Sequence, residues 1–368
     1  MNRRQLLKQG AFAATAFAFS RELFAREPEA NFRSTLPPGT FIKLSSNENP
    51  HGPSPKARKA MMEAVAVSNR YPWETTTQLR EKIAAIYGLT KEHVTMGAGS
   101  SELLGVISLM AALQKGNAVA PDPTFRLWMP AARNVGLAVK LVPVTSNKDT
   151  DLQRMKDTID QDTKMVYICN PGNPTSNVIP AAELKQFIMD VAPKCIILLD
   201  EAYTEFSDEP SMASLIQDYP NLIIAKTFSK IYGMAGARAG FAMAQPDVIK
   251  KMNELQPWPN AGTSAVSLAG AMASLDDQDF VQFCKKENAK AKGVFYASLK
   301  KAGMPYIKSH TSFVYFDTAP FGKDVRELLE KNNIIGCRTF EEGSSWRRLS
   351  VGTVDEMKKV ADVLNNFA

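Results

Sequence analysis

The feature that most constrains this chain is an alternation. Short apolar runs, "NAVAPD" (117–122), "AVKLVPV" (138–144), "KMVYIC" (164–169), "CIILLD" (195–200) and "NLIIAKTF" (221–228), recur with helical or loop stretches between them. Runs this short and this apolar read as buried strands, and strands that alternate with helices imply a mainly parallel sheet covered by helices on both faces. Helical periodicity at 55–68 and 76–87, and the segment "SSELLGVISLMAALQKG" with Gly116 as its expected stop, supply covering layers. Ser54-Pro55 reads as a cap and first helical residue. From about residue 246 the pattern changes to helices around shorter strands, "TSFVYFD", "NNIIGCR" and "WRRLSVG". The expected organisation is an irregular arm over 26–54, a large α/β domain over 55–245 and a smaller α/β C-terminal domain over 246–368.

Residues 1–25, "MNRRQLLKQGAFAATAFAFSRELFA", stand apart. A basic start, an apolar stretch too short to span a bilayer and small residues afterwards form the pattern of an export signal. Arg3-Arg4 followed by "QLLK" has the form of a twin-arginine signal, a route for folded proteins, so a periplasmic location is expected; an amphipathic tail on a cytoplasmic protein is the alternative. Without this segment the formal charge falls from +6 to +3. The basicity is therefore half signal, and neither a nucleic-acid surface nor stable membrane insertion of the mature chain is implied.

Three histidines and four cysteines leave little for metal or triad chemistry. No histidine pair has helical spacing, and Cys169, Cys195, Cys284 and Cys337 have no metal-ligand spacing, so no metal site is expected and the cysteines read as core. The informative polar residues fall just beyond the carboxyl ends of the apolar runs, where open α/β sheets bind ligands: Asn173, Asp200 and Lys230. A lysine is usually a solvated charge. Lys230, after a buried strand and before the small-residue run "IYGMAGARAG", would lose hydration, and its amine would become available to attack a carbonyl.

Taken in order, "NPGNPT" (170–175), "DEAY" (200–203) and "TFSK" (227–230) with Arg238 resemble the fold-type I aminotransferases that use pyridoxal 5'-phosphate (PLP). The resemblance spans nearly the whole chain after the signal. "LSSNENPHGPSP", "RYPWETTTQLR", "GAGSSELL" and "RRLSVGT" are most similar to the histidinol-phosphate aminotransferase branch. It implies an aspartate aminotransferase-like fold, a homodimer, and transamination between an L-amino acid or related amine and a 2-oxo acid such as 2-oxoglutarate through a Lys230 Schiff base. A decarboxylase or lyase resembling threonine-phosphate decarboxylase, and a non-catalytic PLP-binding protein, are the alternatives.

The resemblance also implies roles. Asp200 would hold the proton of the cofactor's ring nitrogen, Asn173 and Tyr203 would hold its 3'-oxygen, and Phe125 would stack on the ring. Gly99, Ser100 and Ser101 at a helix start, with Thr227, Ser229 and Arg238, would cup its phosphate. Tyr71 would reach the cofactor of a neighbouring subunit. Arg338 and Arg348 would anchor anionic groups of the substrate, with Asn47 and His51 beside them; Arg347 reads as a surface charge. His51, where the branch carries a tyrosine, and bulky Arg126 and Trp128, where it has smaller residues, point away from histidinol phosphate. Aromatic or other bulky amino acids and glutamate are the first candidate donors.

Overall fold

The computed structural model describes residues 41–367. The expected export signal and the first part of the arm, through residue 40, lie outside the described residues. The chain forms two units, Met1–Ile42, of which only the last two residues are described, and Lys43–Ala368. The second unit carries everything below.

Its centre is a seven-stranded sheet built from β1 (Val94–Gly97), β2 (Gly116–Asp122), β3 (Leu137–Pro143), β4 (Thr163–Cys169), β5 (Ile196–Asp200), β6 (Leu222–Thr227) and β7 (Gly240–Met243). The strand order is β1-β7-β6-β5-β4-β2-β3. β2 to β6 pair in parallel, and β7 lies antiparallel between β1 and β6. The five central apolar runs are thus strands, as expected. β1 and β7 are additions: "VTMG" and "GFAM" are short and rich in small residues, and their strand state comes from pairing with each other and with β6.

The period of two sorts the strand residues onto two cores. Val166, Ile168, Ile197, Leu199 and Ile224 face one, covered by the helix Ala181–Val191 through Leu184, Phe187 and Ile188. Met165, Tyr167, Cys169, Leu198 and Ile223 face the other, covered by the helix Ser100–Ala112 through Leu103, Leu104 and Ile107. Burial of each such large side chain contributes about 1.5–3 kcal/mol, and this double burial is why these strands are apolar almost throughout.

Ser54 caps the helix Pro55–Ala64, its side chain accepting from Ala57 N, with Pro55 as the first residue. The helix expected to stop at Gly116 ends at Ala112 instead. Lys115 takes the left-handed turn and Gly116 opens β2. Beyond the sheet, β8 (Phe313–Asp317) and β9 (Trp346–Ser350) form an antiparallel pair with Arg348 opposite Tyr315. The run "NNIIGCR" joins them through reciprocal backbone bonds between Arg338 and Arg348, both 2.9 Å. All four cysteines are buried thiols. Among the described residues no helix is long and apolar enough to cross a membrane.

Candidate active site

Parallel strands end on the same edge, so β4, β5 and β6 deliver Asn173, the Asp200–Tyr203 segment and Lys230 together. Cys169 and Asp200 are register partners, and Asp200 in turn pairs with Ala225. Asp200 is buried and accepts two hydrogen bonds, Tyr167 Oη to Oδ2 at 2.9 Å and Ala202 N to Oδ1 at 3.2 Å. Burial raises its pKa to about 6; the two donors and the positive charges of Lys230 and Lys226 pull in the other direction without cancelling it.

Lys230 Nζ donates to Ser46 O at 3.3 Å and lies 5.6 Å from the centre of the Tyr203 ring. Burial first, and then the nearby Arg348 guanidinium, lower its pKa to about 8 against the opposing pull of Asp200 and Glu48. Near neutral pH roughly one such amine in ten is unprotonated, against almost none for a solvated lysine.

Tyr203 Oη accepts from Asn47 Nδ2 at 2.9 Å and from Asn173 Nδ2 at 3.4 Å. Burial pushes the phenol above its usual pKa, so it stays protonated. Asn173 Oδ1 accepts from Arg348 Nη1 at 2.7 Å, and Arg348 Nη2 donates to Ser45 O at 2.9 Å. Asn47 is fixed in turn by Ser350, whose Oγ accepts from Asn47 N at 2.8 Å and donates to Asn47 Oδ1 at 3.0 Å. The segment Ser45–Asn47, the turn after β4, Tyr203 and β9 thus close one polar ring.

A second cluster lies at the start of the helix Ser100–Ala112. Arg238 Nη2 donates to Ser101 Oγ at 2.9 Å and Ala98 O at 3.3 Å, and Nη1 reaches Ala235 O at 2.9 Å and Ser229 Oγ at 3.5 Å. Thr227 Oγ1 donates to Ser229 Oγ at 2.8 Å and accepts from Ser229 N at 3.1 Å. Gly99 has φ +78°, and a Cβ there would collide with the Arg238 guanidinium. A Cβ on Gly240 would strike the backbone of Gly99 and Ser100. Helix-start N–H groups, a guanidinium and hydroxyls gathered where there is no room for further side chain make a cup for an anion such as phosphate. With a desolvated amine and a buried carboxylate at the same strand ends, these residues fit PLP.

The remaining expected residues divide. Phe125 is partly buried against the core that includes Tyr203 and Cys169. Arg338 is brought to Arg348 by their backbone bridge, and both guanidiniums lie on the Phe340 ring, at 5.8 and 4.5 Å. His51 packs edge-on against Phe283 at 5.0 Å, on the helix Gln278–Lys301. Tyr71 is exposed, stacked on Trp73 at 5.7 Å and tilted against Trp258 at 5.0 Å, and no site residue of its own chain is among its ring contacts.

Arg126 and Trp128, read as bulky departures that point away from histidinol phosphate, are turned away from the polar ring, which removes that argument. Arg126 pairs with Asp122 on an exposed edge, and Trp128 is buried in the core against Tyr167 at 5.0 Å. The apolar face of the short helix Trp128–Asn134 takes the indole inward. Arg347 donates to its own local carbonyls, Ser344 O and Trp346 O.

Four contributors escaped the sequence reading: Tyr167, Ser45, Ser350 and the pair Lys226–Glu201. Lys226 is buried beneath the strand end and bridges Glu201 at 3.4 Å and Glu205 at 3.0 Å, while Glu201 Oε1 accepts from Met212 N at 2.9 Å. The glutamate following Asp200 is thereby tied down. Only for Tyr167 was a signal present: a polar-tipped aromatic two residues before the end of a strand shares a face with that end.

A mainly parallel sheet whose strand ends gather a desolvated lysine, a buried carboxylate and a cluster of anion-binding donors has the arrangement expected of a PLP enzyme of the aspartate aminotransferase-like fold. Comparison with known proteins agrees. Residues 39–364 match the family "Aminotransferase class I and II". Histidinol-phosphate aminotransferase 2 of Carboxydothermus hydrogenoformans is 34% identical over 335 residues, 88% of this chain and 91% of that protein. A solved structure described as a putative histidinol-phosphate aminotransferase from Erwinia carotovora atroseptica superposes with TM-score 0.84 at 31% identity, covering 89% of this chain and 96% of that one. The Sinorhizobium meliloti histidinol-phosphate aminotransferase, solved with pyridoxal-5'-phosphate, gives TM-score 0.82 at 25% identity, covering 89% and 90%. The chain belongs to the class I and II aminotransferases, and its cofactor is PLP.

Proposed function

We propose that the chain moves an amino group between an L-amino acid, or a related amine such as histidinol phosphate, and a 2-oxo acid such as 2-oxoglutarate, with Lys230 as the amine that joins the cofactor. The observation that carries this reading is Lys230 itself: a desolvated lysine with its pKa lowered to about 8, at the strand edge that also holds Asp200 and Tyr203.

When bound, PLP supplies an electron sink that lets a proton leave the substrate's α-carbon. The chain's residues do the rest. Asp200 would hold the proton of the ring nitrogen, Tyr203 and Asn173 would hold its 3'-oxygen, and the Gly99–Ser101 helix start with Ser229 and Arg238 would hold the phosphate. Lys230 would accept and return the substrate proton as general base and acid. Arg348, buried and aimed at Asn173, offers positive charge to the α-carboxylate, and Arg338 stands next to it.

Two further parts belong to the same reading. The exposed Tyr71, Trp73 and Trp258 support a homodimer in which a second copy covers this face and receives Tyr71 at its cofactor. The Arg3-Arg4 signal supports export to the periplasm after PLP is loaded, since the cofactor travels only with a folded protein.

The test is a screen of amino acids against 2-oxoglutarate and pyruvate, following the cofactor's absorbance and assaying 2-oxo acid, CO2 and ammonia. A 2-oxo acid formed in step with the new amino acid is expected, and CO2 or ammonia as the main product would overturn transamination. Lys230→Ala should lose the visible band of the lysine-linked cofactor together with turnover; wild-type turnover in that variant would remove Lys230 from its role.

A further inference from the structure

Asp200 carries the charge that the cofactor's ring nitrogen needs, and burial works against that charge. What opposes burial most directly is Tyr167. It lies two residues before Cys169, the register partner of Asp200, so the pleat brings its side chain to the face of β4 on which Cys169 also lies. Its ring is fully buried and rests on Trp128, centroids 5.0 Å apart at 42°. Its hydroxyl is 2.9 Å from Asp200 Oδ2. A tyrosine hydroxyl has one proton to give and an ionised carboxylate has none, so Tyr167 is the donor.

We propose that Tyr167 is a positioning residue for PLP: by donating its hydroxyl proton to Oδ2 it fixes the plane of the Asp200 carboxylate and keeps it charged, so the site is set for a protonated ring nitrogen before the cofactor enters.

The second oxygen supports this geometry. Oδ1 accepts from Ala202 N at 3.2 Å, so rotating the carboxylate breaks at least one of two bonds. Each oxygen keeps a lone-pair direction, and the plane in which those directions lie is set by Tyr167 and the backbone. The other titratable groups that act on Asp200 are Cys169 on β4, Lys226 and Lys230 on and just after β6, and Tyr203 on its own loop. The lysines favour the carboxylate through space; burial holds the Cys169 thiol neutral. Burial and the neighbouring Asp200 keep the Tyr167 phenol protonated far above neutral pH, so the donor is present throughout the working range. The bland role for Tyr167, filling the core between Trp128 and the sheet, needs the ring but not the hydroxyl.

Tyr167→Phe separates the two because it removes one oxygen and keeps the ring. The inference rests on Asp200 as the partner of the ring nitrogen, so the test includes Asp200→Asn. The probe is pyridoxamine 5'-phosphate, which has the ring and phosphate but no carbonyl for Lys230, titrated into full-length apoprotein from pH 5 to 8, with thermal unfolding in parallel. Wild type should bind more weakly as Asp200 protonates toward pH 5, and Tyr167→Phe should lose affinity at a pH higher by about one unit, so that it binds several-fold more weakly at pH 6 but within about twofold at pH 8. Trp128→Phe, which keeps the hydroxyl, should lower the unfolding temperature and leave the profile in place. A Tyr167→Phe profile superimposed on wild type, or a Trp128→Phe profile displaced equally, would overturn the proposal. An Asp200→Asn profile identical to wild type would instead overturn the assignment of Asp200 to the ring.

Discussion

Arg348 Nη1 donates to Asn173 Oδ1 at 2.7 Å, and the other end of the same amide, Nδ2, meets the Tyr203 hydroxyl at 3.4 Å. A guanidinium on β9, late in the chain, therefore decides which way an amide on the turn after β4 faces. Arg348→Ala would strip donors from Asn173 Oδ1 and Ser45 O in a buried site. A stability loss of about 2–4 kcal/mol is expected in denaturant unfolding, with KM raised for every donor. Arg338→Ala should act selectively, raising KM for glutamate and leaving phenylalanine nearly unchanged, because only a second anionic group would lose a partner. Equal losses with both donors would assign Arg338 to the fold.

Gly99 is required twice, by its φ of +78° and by the Arg238 guanidinium that occupies the place of a Cβ. Gly99→Ala should cost about 1–2 kcal/mol of stability through backbone strain and weaken PLP binding about tenfold or more by displacing Arg238. Gly105, in the same helix with open space around it, is the control. Gly105→Ala should stabilise by about 0.5–1 kcal/mol with PLP affinity unchanged. Equilibrium unfolding and PLP titration of the two variants check both.

Lys230 makes the apoprotein's stability depend on pH in a definite direction. Its pKa is lowered from 10.5 to about 8, so between those values the unfolded chain holds a proton that the folded chain has released. Stability from this group therefore rises with pH across that window, and the penalty is fully present below about 8. Lys230→Met, which has no charge to desolvate, should unfold at a higher temperature than wild-type apoprotein at pH 7, and the gap should close toward pH 10. A constant gap would mean that the lysine is solvated.

Export can be tested apart from catalysis. Replacing Arg3 and Arg4 by lysines should retain the protein in the cytoplasm, folded and loaded with PLP, because the twin-arginine route reads the guanidinium pair and not charge alone. Fractionation with unchanged periplasmic delivery would point to a general secretory signal.

The local pattern determined more of this protein than its pairing. Apolar runs such as "CIILLD" and "NLIIAKTF" specify strands because burial on both faces demands it, and their following residues, Asp200 and Lys230, reach the ligand edge in any parallel arrangement. Gly99, Thr227, Ser229 and Arg238 were picked out by the resemblance of "GAGSSELL" and "TFSK" to the aminotransferases and not by local pattern alone; the structure brings them together at one helix start. Strand order, the antiparallel β7 and the polar ring through Ser45, Asn47, Asn173, Tyr203, Arg348 and Ser350 were decided by the tertiary structure, because each depends on contacts between segments far apart in the chain. Trp128 shows the limit most clearly. In the sequence it stood out only as a bulky departure from the resembled branch, but the rotation of a seven-residue helix turns it into the core, onto the tyrosine that holds Asp200. A periodic sequence says that a face is buried; which neighbour it meets is set by packing between elements that the period does not encode.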